Sequence, residues 1–180
     1  MVISGPSAVG KDTVVRRLLE LDRELRYSIS ATTRPPRSGE TNYTFVTRED
    51  FMKLVEQGAF LEHAEYAGNL YGTLHDRVTR ARNAGHDIIL KIDVQGAAQV
   101  RAKVPDGIFI FLAPPSMEEL ERRQTMRDSE SAEDRAARRK IAEQEMAYSK
   151  HFDHIVVNDD VERAAAQIQK IIQQARERKT

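Results

Sequence analysis

The sequence predicts an α/β protein with a parallel sheet, and three observations support this prediction. Short, almost wholly apolar runs occur at 1–3, 87–92, 108–112 and 155–157, as expected for strands that are buried on both faces. Helical segments separate these runs, which is the alternation that strand–helix–strand units produce. The first apolar run also leads through a glycine-containing loop directly into an amphipathic helix.

The remaining elements follow from periodicity and turn signals. We predict further strands at 25–29, 43–46 and 60–66, a loop at 31–42, and helices at 14–21, 47–57, 74–83, 95–103, after Ser116 and after 157. Thr47 and Ser116 each stand three residues before an acidic residue, which is typical of a helix N-terminus. Two regions break the alternation: the short strands and polar loops of 30–82 predict an insertion, and the arginine-rich segment 122–139 predicts a mobile lid.

Composition limits the classes of partner. The 180 residues include 28 basic and 28 acidic side chains and carry no net charge, which gives no general attraction to nucleic acid or to an anionic membrane. The sequence has no cysteine, which excludes disulfides and thiolate chemistry. It shows no targeting segment and no long apolar run, so we expect a cytoplasmic protein without membrane or nucleic-acid partners.

The loop after the first strand has the spacing of a phosphate-binding loop: Gly5, four residues, Gly10 and Lys11. Glycines let backbone N–H groups surround an anion, the following helix turns its positive end towards it, and Lys11 can reach the outer phosphates of a nucleotide. A Ser or Thr normally follows the lysine and binds Mg²⁺, but here Asp12 does, so we expect Asp12 or Thr13 to be the metal ligand. The alternative is an ordinary glycine turn before a helix.

A second phosphate site is predicted in the proline-containing loop 32–40, where Arg34 and Arg37 stand three residues apart. Two guanidinium groups can bind one phosphate through bidentate, charge-assisted hydrogen bonds. Proline reduces the entropy that is lost when such a loop becomes ordered. Taken alone, this loop could equally be a solvated basic turn, but the neighbouring phosphate loop favours the phosphate site.

Motifs along nearly the whole chain resemble those of guanylate kinases. They are Gly5–Thr13, Ser30–Arg37, Gly39-Glu40, Tyr43, Phe60–Glu62, Leu70–Thr73, Ile92–Gly96 and Phe111–Ser116, in this order. The resemblance implies a P-loop kinase three-layer α/β fold with a parallel core sheet, an inserted nucleotide-monophosphate-binding region and a mobile lid. It also implies a single domain over 1–180, with its core at 1–29, 83–121 and 140–180, the GMP-binding region at 30–82 and the lid at 122–139.

The same resemblance implies transfer of the γ-phosphoryl group of ATP to GMP, with Mg²⁺ as cofactor and ADP and GDP as products. Carried over by position, the ATP-binding residues are Gly5, Pro6, Ser7, Ala8, Val9, Gly10, Lys11, Asp12 and Thr13. The GMP-binding residues are Ser30, Arg34, Arg37, Tyr43, Glu62, Tyr71, Gly72 and Thr73. The catalytic residues are Lys11, Arg34, Arg123, Arg127 and Arg138, and the Mg²⁺ ligands are Asp12, Thr13 and Asp93.

Elementary chemistry supports the role of Glu62. A carboxylate accepts hydrogen bonds from N1–H and the exocyclic amine of guanine, and adenine lacks this pair of donors. A lost hydrogen bond to a charged group costs roughly 1.5–3 kcal/mol. The alternatives are a surface carboxylate for Glu62, half-buried packing residues for Tyr43 and Tyr71, and a helix N-cap for Asp93, a role that is compatible with metal binding.

Three departures from the family pattern leave other functions open. Asp12 replaces the usual hydroxyl, Lys91 stands where many relatives carry an acidic residue near the guanine, and the segment 40–43 is shorter than the family loop. Asp12 and the short segment favour a ribose 1,5-bisphosphate kinase. A non-catalytic guanylate-kinase-like module that binds phosphorylated peptides is the other alternative. The intact arginine pair and the motif 70–73 favour GMP, and Lys11 with the lid arginines favours catalysis.

Overall fold

The structure, a computed structural model, describes residues 1–36, 38–66, 68–125 and 132–178, and at 125 and 132–135 it describes the backbone only. Its strands are β1 (Val2–Ser4), β2 (Leu25–Tyr27), β3 (Ser30–Thr32), β4 (Tyr43–Phe45), β5 (Phe60–Tyr66), β6 (Asn69–Leu74), β7 (Asp87–Lys91), β8 (Phe109–Ala113) and β9 (His154–Val157). Its helices are α1 (Lys11–Leu21), α2 (Arg48–Glu56), α3 (His75–Asn83), α4 (Val94–Lys103), α5 (Met117–Thr125), α6 (Ala132–Tyr148) and α7 (Val161–Glu177). The chain divides into unit 1, which is Met1 with Glu24–Gly107, and unit 2, which is Val2–Arg23 with Ile108–Thr180.

Unit 2 contains three parallel strands in the order β1-β8-β9. All five residues of β8 are buried, which explains why this strand is a continuous apolar run. Helix α7 buries Ala164, Ala165, Ile168 and Ile172 on one side and exposes its polar side. The phosphate-binding loop connects β1 to α1, as the strand–loop–helix pattern predicts.

Unit 1 contains a parallel pair, β2 with β7, and a four-stranded sheet in the order β4-β3-β6-β5. In this second sheet β3 and β4 are parallel, whereas β6 is antiparallel to both β3 and β5. One face of the sheet packs on an apolar cluster of Ala31, Phe51, Phe60 and Leu70, in which the rings of Phe51 and Phe60 stack with their centroids 4.5 Å apart. The cluster fixes which side chains lie on the opposite face.

Much of the predicted architecture is confirmed. The α/β class with parallel strands holds, and β5 has the predicted bounds. The two predicted helix N-termini are also correct, since the N–H of Asp50 donates to Thr47 Oγ1 at 3.0 Å and that of Glu119 donates to Ser116 Oγ at 3.2 Å. The division into a core, an insertion at 30–82 and a lid at 122–139 stays a prediction. No helix in the described ranges is both long and apolar enough to cross a membrane.

Several predicted bounds were wrong, including that of the strand at 25–29, which ends at Tyr27. The loop at 31–42 begins later, because Ser30–Thr32 pairs with β4 on one side and β6 on the other and forms β3. Strand β6 was not anticipated, because Gly68-Asn69 indicated a turn and no strand was predicted after it. Helix α1 begins at Lys11, before the predicted Val14, because the loop ends at Gly10, the residue that precedes the helix.

Candidate active site

The phosphate-binding loop Gly5–Thr13, called the P-loop below, depends on two glycines. Gly5 has φ 145° and Gly10 has φ 101°, values that favour glycine over any other residue. A Cβ at Gly5 would overlap the carbonyl oxygen of Leu112, and one at Gly10 would overlap the side-chain amide of Asn158. Glycine is therefore needed at both positions, because the backbone conformation disfavours other residues and there is no space for a side chain. Ala8 also has positive φ, 67°, which is an unfavourable conformation for a residue with a Cβ.

Lys11 opens helix α1 at the end of this loop. Its Nζ donates to the carbonyl oxygens of Gly5 and Pro6, the latter at 2.9 Å, so the ammonium lies over the loop. The N-cap residue of α1 is Gly10, which has no side chain to cap the helix, and helix N-termini carry partial positive charge that favours an anion. Asp12 and Thr13 are both exposed in the first turn. They offer a carboxylate and a hydroxyl, which are the oxygen donors that suit Mg²⁺.

Helix α5 holds the P-loop through side chains on its last turns. Arg123 Nε donates to Glu119 at 2.8 Å, and its NH groups donate to the carbonyl oxygens of Val9 at 3.3 Å and Asn158 at 3.2 Å. Asn158 in turn donates to Val9 at 2.7 Å. Arg123 of unit 2 thus contacts the P-loop at the carbonyl oxygen of Val9. A bidentate contact with Arg122 and a single hydrogen bond from Arg123 lower the pKa of the Glu119 carboxyl to about 2, so Glu119 stays ionised.

The second sheet collects five predicted GMP-binding residues on one face. Tyr71 and Thr73 are two residues apart on β6 and therefore point the same way. Register pairing adds Glu62, opposite Thr73, to this face. Ser30 and Tyr43 are partners of each other and join it through β3, where Thr32 pairs with Tyr71. We call this surface, formed by Ser30, Tyr43, Glu62, Tyr71 and Thr73, the acceptor face.

A β-bulge is what places Glu62 on the acceptor face. In a regular strand Phe60 and Glu62 would point to the same side. The register shifts between them, so that Phe60 pairs with Leu74 while Glu62 pairs with Thr73. Phe60 consequently packs into the apolar cluster and Glu62 points to the opposite face. Lys103 Nζ donates at 2.5 Å to the carbonyl oxygen of Leu61, the residue at the bulge.

Glu62 is a buried carboxyl group with a short hydrogen bond from Thr73. It is 3% exposed and accepts from Thr73 Oγ1 at 2.5 Å. Burial raises the pKa of Glu62 to about 7, and the hydrogen bond from Thr73 counteracts part of the increase, while nearby Asp93 adds to it and Lys103 opposes it. The Thr73 hydroxyl therefore fixes the orientation of the Glu62 carboxyl group. The Thr73 hydroxyl contacts Oε1 of Glu62 and not Oε2. Oε2 lies so close to Gly96 that a Cβ at Gly96 would overlap it.

Arg34 lies beside the aromatic part of the acceptor face. Its NH2 group donates to both carboxylate oxygens of Glu40, at 2.7 and 2.8 Å. Its guanidinium carbon is 5.6 Å from the ring centroid of Tyr43, and the rings of Tyr43 and Tyr71 meet edge to face at 5.9 Å. Burial lowers the pKa of Arg34, but hydrogen bonds and charge from Glu40 and Tyr71 outweigh it and raise the pKa above its usual value. Arg34 is therefore always charged.

The other predicted site residues lie as follows. Arg37 and Arg127 fall outside the described residues. Gly72 lies on the apolar side of the sheet, where a Cβ would overlap the ring of Phe60 and come into tight contact with that of Phe51. Asp93 caps α4 by accepting from the N–H of Gly96 at 2.8 Å, and its charge raises the pKa of Glu62. Arg138 is half-buried on α6.

Sequence reasoning missed several contacts around these residues. Glu40 was noted only as part of a motif, although a carboxylate six residues after an arginine in a proline-glycine loop is a possible partner. Gln99 on α4 was missed altogether. It accepts from the N–H of His63 at 3.2 Å and donates to its carbonyl at 2.7 Å, and so fixes β5 at the edge of the sheet. Nothing local in the sequence announces this long-range contact.

Comparison with known proteins assigns the family. The family model described as guanylate kinase matches residues 1–175. The chain is 46% identical over 175 residues to a guanylate kinase of Caldanaerobacter subterraneus subsp. tengcongensis, covering 96% of this chain and 85% of the relative. It is 47% identical over 177 residues to a guanylate kinase of Streptococcus agalactiae serotype III, with 96% and 85% covered.

A solved structure agrees with these sequence matches. The crystal structure of guanylate kinase from Anaplasma phagocytophilum superposes with a TM-score of 0.81 and 36% identity, and the match covers 96% of this chain and 83% of that chain. The predicted resemblance and the P-loop kinase fold are confirmed by these findings. This chain belongs to the guanylate kinase family.

Proposed function

We propose that this protein transfers the γ-phosphoryl group of ATP to GMP, giving ADP and GDP, through the residues assigned below. It is an ATP:GMP phosphotransferase that acts on two small-molecule substrates, as members of its family do. The observation that carries the assignment of residues is the acceptor face: a buried carboxyl group, Glu62, shares one face of a sheet with the Tyr43–Tyr71 cluster beside Arg34. A carboxylate that shares a face with two phenol groups, with an arginine beside them, suits a nucleotide, which has guanine at one end and phosphate at the other.

On the GMP side, the distances along the strand agree with the size of a mononucleotide. Tyr71 and Thr73 are two residues apart on β6, which is about 7 Å along a strand. Arg34, Arg37, Tyr43 and Tyr71 would hold the phosphate, since guanidinium and phenol groups are strong donors to phosphate oxygens. Ser30, Glu62 and Thr73 would read the guanine, with Thr73 holding Glu62 in place. Gly72 would contribute through its backbone, because its Cα faces the apolar cluster.

On the ATP side, the residues Gly5 to Thr13 would surround the phosphates with backbone N–H groups and the Lys11 ammonium. Because Lys11 Nζ already donates to two P-loop carbonyls, it would exchange these contacts for phosphate oxygens as ATP binds. Arg123, Arg127 and Arg138 would stabilise the negative charge of the transferred group. No covalent intermediate is needed, because positioning and charge stabilisation supply the catalysis.

Mg²⁺ is the expected cofactor of such a transfer. Asp12 and Thr13 fit it chemically, since both are exposed at the start of α1 beside the P-loop. Asp93 is the further candidate ligand, and its capping hydrogen bond uses only one of its oxygens, Oδ1. When bound with ATP, the ion neutralises phosphate charge. The predicted cytoplasmic location and the lid at 122–139 stay proposals as well.

The two alternative functions are not favoured. A ribose 1,5-bisphosphate kinase has no use for a buried carboxyl group that pairs with base donors, whereas Glu62 is placed with Thr73 on the acceptor face. A non-catalytic phosphopeptide-binding module has no use for an intact P-loop, whereas Gly5, Gly10 and Lys11 form one here. The curated relatives that are 46% and 47% identical over 96% of this chain are guanylate kinases, which agrees with both arguments.

A panel of acceptors tests the proposal. With ATP and Mg²⁺, we expect rapid ADP formation with GMP and dGMP and little with AMP, UMP or ribose 1,5-bisphosphate, measured in a coupled assay. Lys11→Ala should lower kcat by about 100-fold or more, because a preorganised positive charge at the moving phosphoryl group is lost. Lys140→Ala, which removes an exposed lysine elsewhere, is the matched control. Preference for ribose 1,5-bisphosphate, or normal turnover by the Lys11 variant with its fold intact, would refute the assignment.

A further inference from the structure

Helix α4 contacts strand β5 on both sides of Glu62. β5 is the last strand in the order β4-β3-β6-β5, and backbone groups on the outer edge of such a strand need partners other than a neighbouring strand. Side chains of α4 supply them. Gln99 accepts from the N–H of His63 at 3.2 Å and donates to its carbonyl oxygen at 2.7 Å. Lys103 donates to the carbonyl oxygen of Leu61 at 2.5 Å.

The spacing of these contacts follows from the geometry of the two elements. Gln99 and Lys103 are four residues apart and therefore lie on one face of α4, about 6 Å apart along its axis. Leu61 and His63 are two residues apart, which is about 7 Å along a strand. Because the two repeats nearly match, one helix face can bind the backbone of β5 at two points, one before and one after Glu62.

A third residue of the same helix face approaches Glu62 itself. Gly96 precedes Gln99 by three residues, and a Cβ at Gly96 would lie 2.5 Å from Oε2 and 3.1 Å from the carboxyl carbon of Glu62. A side chain at this position would therefore displace the carboxyl group from its contact with Thr73. Burial raises the pKa of Glu62, and the charge of Lys103 opposes this increase, so this helix also acts on the carboxyl group through charge.

We propose that Gly96, Gln99 and Lys103 are positioning residues, which set the selectivity of the acceptor site for guanine by fixing Glu62. The two long side chains hold the backbone at the β-bulge that turns Glu62 onto the acceptor face. Gly96 leaves the space that the carboxyl group occupies. The inference rests on the proposed function, because it adds residues to the proposed recognition of guanine. A helix that only covered the edge of the sheet would stabilise β5 without affecting which base is preferred.

The ratio of kcat/KM for GMP to that for AMP tests the proposal, because the two acceptors share sugar and phosphate and differ in the base. Assays at pH 8.5 keep Glu62 ionised. We expect each of three variants to lower the ratio by about two- to tenfold, the worth of one hydrogen bond: Gln99→Ala, Lys103→Met and Gly96→Ala. The KM for ATP should not change. Lys103→Arg should keep the ratio of wild type, because a guanidinium group also donates to a carbonyl oxygen.

Two controls separate positioning from a general loss of helix stability. Lys53, like Lys103, stands in the last turn of a helix of unit 1, but its ion pairs are with Glu49 and Asp50 of its own helix. Lys53→Met should therefore leave the ratio unchanged. Gly96→Ala contains its own control, because alanine favours a helix more than glycine does. A lower ratio in this variant would come from the displaced carboxyl group and not from a weakened helix.

A double-mutant cycle shows whether these residues act through Glu62. In a Glu62→Ala background there is no carboxyl group to position, so Gln99→Ala and Lys103→Met should lower the ratio no further. Thermal denaturation shows whether each variant is folded at the assay temperature. If Glu62→Ala does not fold, Glu62→Gln replaces it as the background, and the further decrease should then be smaller than in wild type.

Three outcomes would overturn the proposal. A ratio that stays unchanged in all three α4 variants, while Glu62→Gln lowers it, would make α4 a cover for the edge strand only. Unfolding of all three variants would give the same conclusion. A decrease that keeps its full size in the Glu62 backgrounds would mean that the α4 residues act on the base by another route. Failure of the proposed function is distinct, since in that case the wild-type protein would show no preference for GMP over AMP.

Discussion

The P-loop and the acceptor face, the two predicted half-sites of this enzyme, owe their shape to different parts of the chain: backbone in one and side chains in the other. In unit 2 the P-loop is shaped by backbone: Gly5 and Gly10 adopt positive φ, and the space around them has no room for a Cβ. In unit 1 the acceptor face is shaped by side chains that come from four strands. One half-site is thus a property of a short continuous segment, and the other is a property of strand register.

This difference decides how each half-site responds to change. A loop that depends on backbone conformation tolerates almost no substitution at its glycines, because both φ and space are restricted. A face made of side chains can exchange one residue while its neighbours stay in place, so that specificity changes before stability does. Glu62 would be an exception, because the residue proposed to read the base is also buried.

The largest effect should come from adding one methyl group to the P-loop. Gly5→Ala introduces both an unfavourable φ and overlap with the carbonyl oxygen of Leu112, and we expect it to lower the free energy of unfolding by more than about 3 kcal/mol. Gly58→Ala is the control for a left-handed φ in open space, since Gly58 has φ 64° and no atom within 4 Å of its would-be Cβ. The control should cost only about 1–2 kcal/mol. Urea denaturation measures both, and equal losses would show that φ alone, without close packing, explains the glycine.

The second largest effect should appear in the pH dependence of the free energy of unfolding. The pKa of Glu62 rises from an ordinary 4.5 to about 7 on folding, because the carboxyl is buried. Below pH 4.5 the group is protonated in both states, and above pH 7 it is ionised in both. Between these limits the unfolded chain releases the proton first, so the contribution of Glu62 to stability falls as pH rises and stays low above pH 7.

Glu62→Gln isolates this contribution because glutamine is neutral at every pH. As pH rises from 4.5 to 8, the free energy of unfolding of the variant should increase relative to that of wild type by up to about 3 kcal/mol. Urea denaturation at each pH measures this difference. Glu65→Gln removes an exposed carboxylate from the same strand and is the control for a simple change of charge. A difference between Glu62→Gln and wild type that does not change with pH would mean that Glu62 is not buried as the acceptor face requires.

The same contrast explains how far the sequence alone could predict the molecule. The P-loop follows from the spacing of Gly5, Gly10 and Lys11, because its geometry is local. Glu62 could be singled out by its motif, but its position on the acceptor face depends on a bulge that shifts the register after Phe60. The partner of Arg34, the contact of Lys103 with Leu61, and the place of Lys91 against Tyr43 arise only once the strands have paired.

The smallest of these effects, and the most informative about function, is a loss of base selectivity in Glu62→Gln. Above pH 7 the Glu62 carboxylate can accept from both N1–H and the exocyclic amine of guanine, whereas the glutamine amide presents only one acceptor oxygen. At pH 8.5 we expect the preference for GMP over AMP, as a ratio of kcat/KM values, to fall by about 10- to 100-fold, which is roughly 1.5–3 kcal/mol. The KM for ATP should stay the same, because the P-loop is untouched. Thr73→Val, which removes the hydroxyl that orients Glu62, should shift the ratio in the same direction but less. A ratio unchanged in both variants would remove Glu62 from base recognition and would leave the acceptor face with a phosphate site alone.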